Sequence, residues 1–108
     1  MLYLRICFDK QGGGELRDEL RKTHREYISS HVGVKKNGIT VVQGGPMCVG
    51  EDVSKNLGSF IVVEAESLKD AQRFHDDDPF TRAGLFERAH VVRWDRHIGN
   101  EGQAKYVP

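Results

Sequence analysis

Apolar and polar residues alternate near the start of the chain, which predicts a β-strand over residues 2–8. The even-numbered positions of this stretch are all apolar, namely Leu2, Leu4, Ile6 and Phe8. The odd-numbered positions are more mixed, namely Tyr3, Arg5 and Cys7. Because side chains two positions apart share one face of a strand, we expect the even-numbered set to face the core and the odd-numbered set to face away from it.

The apolar repeat then changes to that of a helix. After the glycines at 12–14, apolar side chains recur every three or four positions, which predicts a helix over residues 15–30. Its inner stripe comprises Leu16, Leu20, His24, Tyr27 and Ile28. Its outer side is dense in charge and is expected to be solvated, with Arg17, Asp18, Glu19, Arg21, Lys22, Arg25 and Glu26.

Three further strands are predicted from apolar and β-branched runs, over residues 39–43, 58–65 and 85–96. The second of these runs is almost continuously apolar, so we expect a central strand that is covered on both faces. Residues 44–46, two glycines and a proline, are expected to end the preceding strand. Residues 47–56 are then expected to form a loop.

A second helix is predicted to begin after Ser67, because Ser67 with Asp70 three positions later forms a capping pattern. This helix should run to about residue 75 and turn three side chains inward, namely Leu68, Ala71 and Phe74. Asp78 followed by Pro79 then predicts a short helical turn, since Asp is a preferred cap and Pro a preferred first helical residue.

The predicted order of elements is βαββαβ, which gives an α+β fold of the ferredoxin-like type. Two right-handed crossovers of this kind place both helices on one face of a four-stranded antiparallel sheet. The face left uncovered would carry Tyr3, Arg5, Cys7, Ile61, Val63, Val91 and Arg93. Because this set is too apolar to be fully exposed to solvent, we expect a second copy of the chain to cover it, in a homodimer.

Composition narrows the class of protein. Of 108 residues, 38% are hydrophobic and 30% are charged, and 16 basic residues balance 16 acidic ones. This favours one soluble domain, over residues 1–98, followed by a loose polar tail over 99–108. Nucleic acid is not expected as a partner, because its binding depends on clustered positive charge. The sequence contains no long apolar segment, so we expect no contact with a membrane. Its two cysteines lack paired spacing, which favours a cytoplasmic protein.

Five short motifs, spread over nearly the whole chain up to Gly99, resemble the YCII-related proteins. They are residues 21–27 around His24, the triplet Gly44-Gly45-Pro46, residues 58–65, residues 78–85, and the closing Val92-Arg93-Trp94. The resemblance implies a ferredoxin-like fold in a dimeric α/β-barrel type of assembly. It also implies that His24 and Asp78 are a catalytic pair, in a family with a dehydrochlorinase that acts on a chlorinated hydroquinone. Residues 47–56 depart from the shorter, Asp-rich loop of that family.

His24 and Asp78 have both catalytic and structural interpretations. A neutral imidazole can take or give a proton near neutral pH when a neighbour fixes its tautomer, and Asp78 could be that neighbour. Alternatively, His24 is a packed core residue bonded to a backbone carbonyl, and Asp78 only caps a helical turn. Because capping keeps a carboxylate ionised, we expect His24 to be the base and Asp78 its orienter. Asparagine should preserve the cap and fold nearly normally.

Two functional hypotheses follow. The first is a small enzyme without a cofactor, a lyase or isomerase that catalyses proton transfer or elimination on an aromatic or enol-like metabolite. The second is a non-catalytic dimeric module that binds a small ligand or accompanies a partner protein, and the test between them is whether His24 and Asp78 meet in a pocket. Expected substrate contacts are Ser59, Tyr27, Gly45, Pro46 and Phe80. No metal site is expected at Asp76-Asp77-Asp78, because consecutive side chains rarely point at one ion.

Overall fold

Four antiparallel strands and three helices make up residues 1–99, the part of the chain that the computed structural model describes. In chain order these elements are β1 (Leu2–Asp9), α1 (Gly14–Ser29), β2 (Thr40–Val49), β3 (Asp52–Glu64), α2 (Leu68–Asp77), α3 (Pro79–Arg82) and β4 (Phe86–Trp94). The sheet order is β2-β3-β1-β4, so β1 and β3 are the central strands. The predicted α+β, ferredoxin-like arrangement with helices on one side of the sheet is confirmed.

The two faces of the sheet are assigned the wrong way round in the sequence prediction. The helices cover the odd-numbered residues of β1, of which Arg5 is 1% exposed and Cys7 is fully buried. The core on this side comprises Tyr3, Ile39, Val41, Ile61, Val63, Ala65, Ala71 and Phe74. Of the even-numbered set, Leu4, Ile6 and Phe8 are only partly buried, and Leu2 at the start of the strand is 2% exposed. The uncovered face of β1 is therefore more apolar than the face that the helices cover. Arg5 can be buried under the helices because they carry its polar partners, which are described below.

The expected loop over residues 47–56 is instead the end of a long β-hairpin. Strand β2 continues through residues 44–46 to Val49, and β3 begins at Asp52 after a two-residue turn. Pro46 pairs with Ser59 in this ladder, which is possible because β2 is an edge strand, where a missing N–H can be tolerated. A proline next to glycines therefore did not stop the strand.

Helix α2 packs through only part of the stripe that the sequence predicts. Ser67 caps it as expected, its side chain accepting the Asp70 N–H at 3.1 Å. Ala71 and Phe74 are buried, as expected, but Leu68 is 51% exposed, so its predicted inward orientation is wrong. Leu68 is the first residue of the helix, about one turn before Ala71, the first residue of α2 that is buried.

The last strand is shorter than predicted and ends at Trp94. Of the expected polar tail, residues 100–108 lie outside the described part of the chain. No helix within residues 1–99 is both long and apolar enough to span a membrane.

Candidate active site

A cleft of about 1180 Å³ opens between α1 and the β2–β3 hairpin. His24 lines it from the helix, and Phe80 from the short helix α3. Ser59, Gly45 and Pro46 line it from the sheet. Four of the five expected substrate contacts therefore surround one cavity together with His24.

Tyr27 is the expected substrate contact that does not line this cleft. Its hydroxyl donates to the backbone carbonyl of Phe74 at 2.8 Å, and its ring packs against Phe74 and His31. Burial is the main cause that raises the pKa of Tyr27, with the nearby aspartates adding to it. The phenol therefore ties α1 to α2 and stays protonated at neutral pH.

His24 and Asp78 make the contact that the sequence analysis expects. Nδ1 of His24 lies 2.8 Å from Oδ1 of Asp78. The imidazole also stacks on the ring of Phe80, with 3.9 Å between the ring centres and 10° between the planes. Its side chain is 13% exposed, and Nε2 has no hydrogen-bond partner within residues 1–99. The ring is thus fixed through one nitrogen, while the residue still reaches the cleft.

Asp78 is fully enclosed, and three donors converge on its carboxylate. Besides His24, Nη1 of Arg5 donates to Oδ2 at 2.6 Å, and the backbone N–H of Phe80 donates to Oδ1 at 2.9 Å. Burial alone would raise the pKa of Asp78, but the hydrogen bond with His24 and the charge of Arg5 outweigh it and lower that pKa. The carboxylate is therefore ionised at neutral pH.

Arg5 is a residue of this site that sequence reasoning missed. It lies under the helices, 1% exposed, and its other terminal nitrogen donates to Oγ1 of Thr81 at 3.4 Å. Its guanidinium carbon is 5.3 Å from the ring centre of Phe86. An arginine between apolar residues of a central strand was a usable signal, because a charge buried there requires a partner of opposite sign.

Arg17 corrects the expectation of a fully solvated outer face on α1. It is 5% exposed and forms a two-pronged ion pair with Asp9, at 2.7 and 2.8 Å. Its Nη2 also donates to Oγ of Ser59 at 2.9 Å, and its Cζ lies 4.8 Å from the ring centre of Phe80. Arg17 and His24 are seven positions apart, two helical turns, so their shared face was visible in the sequence.

The three consecutive aspartates point to different partners. Asp76 accepts from Gln72, Asp77 accepts from Arg82, and only Asp78 turns into the site. Within residues 1–99 no cluster of three or more His, Cys, Asp or Glu side chains could hold a metal ion.

The fold and this site together define a small ferredoxin-like protein whose cleft contains a His–Asp pair. The YCII-related domain profile matches residues 1–95, so the chain belongs to the YCII-related family.

Two solved structures resemble the chain. One is 5-chloro-2-hydroxyhydroquinone dehydrochlorinase (TftG) from Burkholderia phenoliruptrix AC1100, in complex with 2,5-dihydroxybenzoquinone. It is 33% identical, with a TM-score of 0.76, and the match covers 88% of this chain and 94% of that one. The other is protein Atu4242 from Agrobacterium tumefaciens, 18% identical with a TM-score of 0.46, over 89% and 95% of the two chains. Comparison with curated proteins gives no match.

Proposed function

We propose that this protein is an enzyme that transfers protons in a small hydroxylated aromatic or enol-like substrate and so promotes an elimination. The observation that carries the proposal is the 2.8 Å contact between His24 and the enclosed Asp78, with His24 lining a cleft. The similarity to TftG, whose name describes a dehydrochlorinase, supports the same class of reaction. An imidazole sealed away from the cleft would instead have favoured a module that only binds.

In this proposal Asp78 fixes the tautomer of His24. An ionised carboxylate accepts a hydrogen bond, so the imidazole proton belongs on Nδ1 and the lone pair on Nε2. Nε2 can then remove a proton from a substrate in the cleft, and Asp78 stabilises the imidazolium that forms. Arg5 holds the second carboxylate oxygen and so restricts Asp78 to one orientation.

For a chlorinated trihydroxybenzene, the atoms and electrons balance without a redox partner. Two hydroxyl groups in para relation lose their protons and become the carbonyl groups of a quinone. One of these protons moves to the ring carbon that carries chlorine, and chloride leaves with the electrons of the C–Cl bond. The net change is the loss of HCl, and His24 is proposed to move the proton from oxygen to carbon.

The test is the release of chloride from 5-chloro-2-hydroxyhydroquinone by the purified protein. His24→Ala should lower kcat by at least about a hundredfold, because a positioned acid or base typically contributes 10²–10⁴-fold. His97→Ala is the matched control, since the His97 side chain is 71% exposed, and it should keep full activity. No turnover by the wild type, or full turnover by His24→Ala, would refute the assignment.

A further inference from the structure

A second and smaller cavity lies where the end of α1 and the segment before β2 meet α2. Its volume is about 80 Å³, smaller than the roughly 150 Å³ of a cavity that holds a benzene ring, so it suits a small ion rather than an aromatic substrate. Besides Tyr27, its polar lining residues are His31, Lys36, Asn37, Arg73 and Asp77. Within residues 1–99 no residue lines both this cavity and the cleft described above.

His31 presents one unpartnered nitrogen to this cavity. Its Nδ1 lies 2.8 Å from the carbonyl oxygen of Tyr27, and since a carbonyl only accepts, Nδ1 carries the proton. In the neutral ring Nε2 is then an acceptor, and it has no hydrogen-bond partner within residues 1–99. His31 is 3% exposed, but Nε2 is not fully enclosed, because Nε of Arg5 is the one fully enclosed side-chain nitrogen or oxygen without a partner in the described chain. A buried side chain therefore offers an acceptor to the cavity.

Two cationic side chains reach the cavity with unused donors. Nζ of Lys36 donates to Oγ of Ser30 at 3.4 Å and forms no ion pair within residues 1–99. Arg73 uses Nη2 for two contacts, 2.8 Å from the carbonyl oxygen of Asn37 and 3.1 Å from Oδ1 of Asp70. Nε and Nη1 of Arg73 have no hydrogen-bond partner in the described chain. Both cations can therefore donate to an anion that enters the cavity.

Asp77 supplies a second acceptor beside His31. Its Oδ1 accepts from Nη2 of Arg82 at 3.0 Å, and Oδ2 has no hydrogen-bond partner within residues 1–99. The lining carries two cations against this one carboxylate, so the cavity attracts an anion. An anion without any proton would nevertheless leave the acceptors of His31 and Asp77 unpaired, which costs binding free energy.

We propose that this cavity binds inorganic phosphate in a form that keeps at least one hydroxyl group. The oxygens without a proton accept from Lys36 and Arg73, and the hydroxyl donates to Nε2 of His31 or to Oδ2 of Asp77. Sulfate has the same shape but carries no hydroxyl at neutral pH, and a phosphate ester loses its hydroxyl above a pKa of about 6. The cations thus supply the attraction, and the acceptors select free phosphate.

The test measures binding of inorganic phosphate, sulfate and glycerol phosphate by titration calorimetry at constant ionic strength. The titrations are made at about pH 7.5, where the ester is almost fully deprotonated. Phosphate should bind at least about tenfold more tightly than either of the other anions, which corresponds to one unpaired acceptor. No binding of phosphate, or an equal affinity for sulfate or glycerol phosphate, would overturn the proposal.

Two variants locate the binding in this cavity. His31→Phe keeps an aromatic ring against Tyr27 and Phe74 but removes Nε2. The carbonyl of Tyr27 retains a donor, since Oγ of Ser30 lies 2.7 Å from it. His31→Phe should weaken phosphate binding roughly 10- to 100-fold and Lys36→Gln roughly tenfold, because each removes a hydrogen bond with a charged group. Lys36→Gln decides the matter if His31→Phe does not fold, as judged by circular dichroism.

Lys35→Gln is the matched control, because the side chain of Lys35 is 59% exposed, pairs with Glu66 and does not line the cavity. It removes the same charge as Lys36→Gln and should change the affinity less than about threefold, as expected for a screened surface charge. Unchanged binding in Lys36→Gln, or an equal loss in Lys35→Gln, would overturn the site. Chloride release does not enter this test, so its outcome is independent of the reaction proposed for His24.

Discussion

On the side of the sheet that the helices cover, β1 presents Arg5 and Cys7, and on the other side it presents Leu4, Ile6 and Phe8. The polar side is the buried one, since Arg5 is 1% exposed, whereas the apolar side remains partly open. The difference shows that burial of a charge depends on its partners, and the helices supply them in Asp78 and Thr81. Within residues 1–99 no helix lies on the open side to supply either polar partners or apolar cover.

The largest expected effect is a loss of stability when the ion pair of Arg5, on the covered side of the sheet, is broken. Asp78→Asn removes the charge that faces the buried Arg5, and breaking a buried ion pair typically costs about 3–5 kcal/mol of unfolding free energy. The sequence-based expectation that this variant folds nearly normally considered only the cap, which asparagine can preserve. Urea unfolding at neutral pH measures the loss, with the exposed Asp76→Asn as control. An equal stability of both variants would contradict the role of Arg5.

The difference in stability between the wild type and Asp78→Asn should depend on pH. The pKa of Asp78 is lower in the folded protein than its ordinary value of about 3.9 in an unfolded chain. The carboxylate therefore stabilises the fold fully above the unfolded value, and this contribution is lost as the pH falls through the folded value. The stability gap between the wild type and Asp78→Asn should accordingly narrow below about pH 4. A gap that stays constant down to pH 2 would contradict this assignment.

The next prediction concerns the open side, which we expect a second copy of the chain to cover. Ile6 lies at its centre, paired with Phe60 on β3 and His90 on β4. Light scattering at micromolar concentration should give about twice the chain mass of 12.2 kDa, with an interface above roughly 1,000 Å². Ile6→Glu buries an unpaired charge in that interface and should halve the mass.

Ile98→Glu adds the same charge at a side chain that is 92% exposed and outside the sheet. This control should remain a dimer. A wild-type mass of one chain would show that the apolar side is open to water or has another partner.

The sequence predicted the element order from local signals, whereas the pairing of His24 with Asp78 was predicted from the resemblance to the YCII-related proteins. Helical spacing places His24 inward, and an Asp-Pro pair marks the turn that carries Asp78. The choice between the faces of β1 depended on tertiary contacts, since period two separates two faces without saying which one the helices cover. Hydrophobicity favoured the wrong face here, because Arg5 finds its partner 73 positions away.

The hairpin shows the same limit for local signals. Glycine and proline at residues 44–46 usually end a strand. They continue it here because β3 pairs with each of them, Ile61 with Gly44, Phe60 with Gly45 and Ser59 with Pro46. This pairing also carries Ser59 and Pro46 to the cleft, so the error about the strand did not displace the site.

The smallest expected effect on stability concerns the start of α2, and it tests which residues of this helix pack against the sheet. Leu68 belongs to the apolar stripe of α2 in the sequence but is 51% exposed, whereas Phe74 on the same helix is 3% exposed. Leu68→Ala should lower the unfolding free energy by less than about 0.5 kcal/mol, the range of surface substitutions, since alanine also suits a helix. Phe74→Ala should cost about 3–5 kcal/mol, because it leaves a cavity between α2 and the sheet. Urea midpoints at one fixed protein concentration measure both changes. A loss in Leu68→Ala close to that in Phe74→Ala would place Leu68 in a buried contact and extend the covered side beyond Ala71.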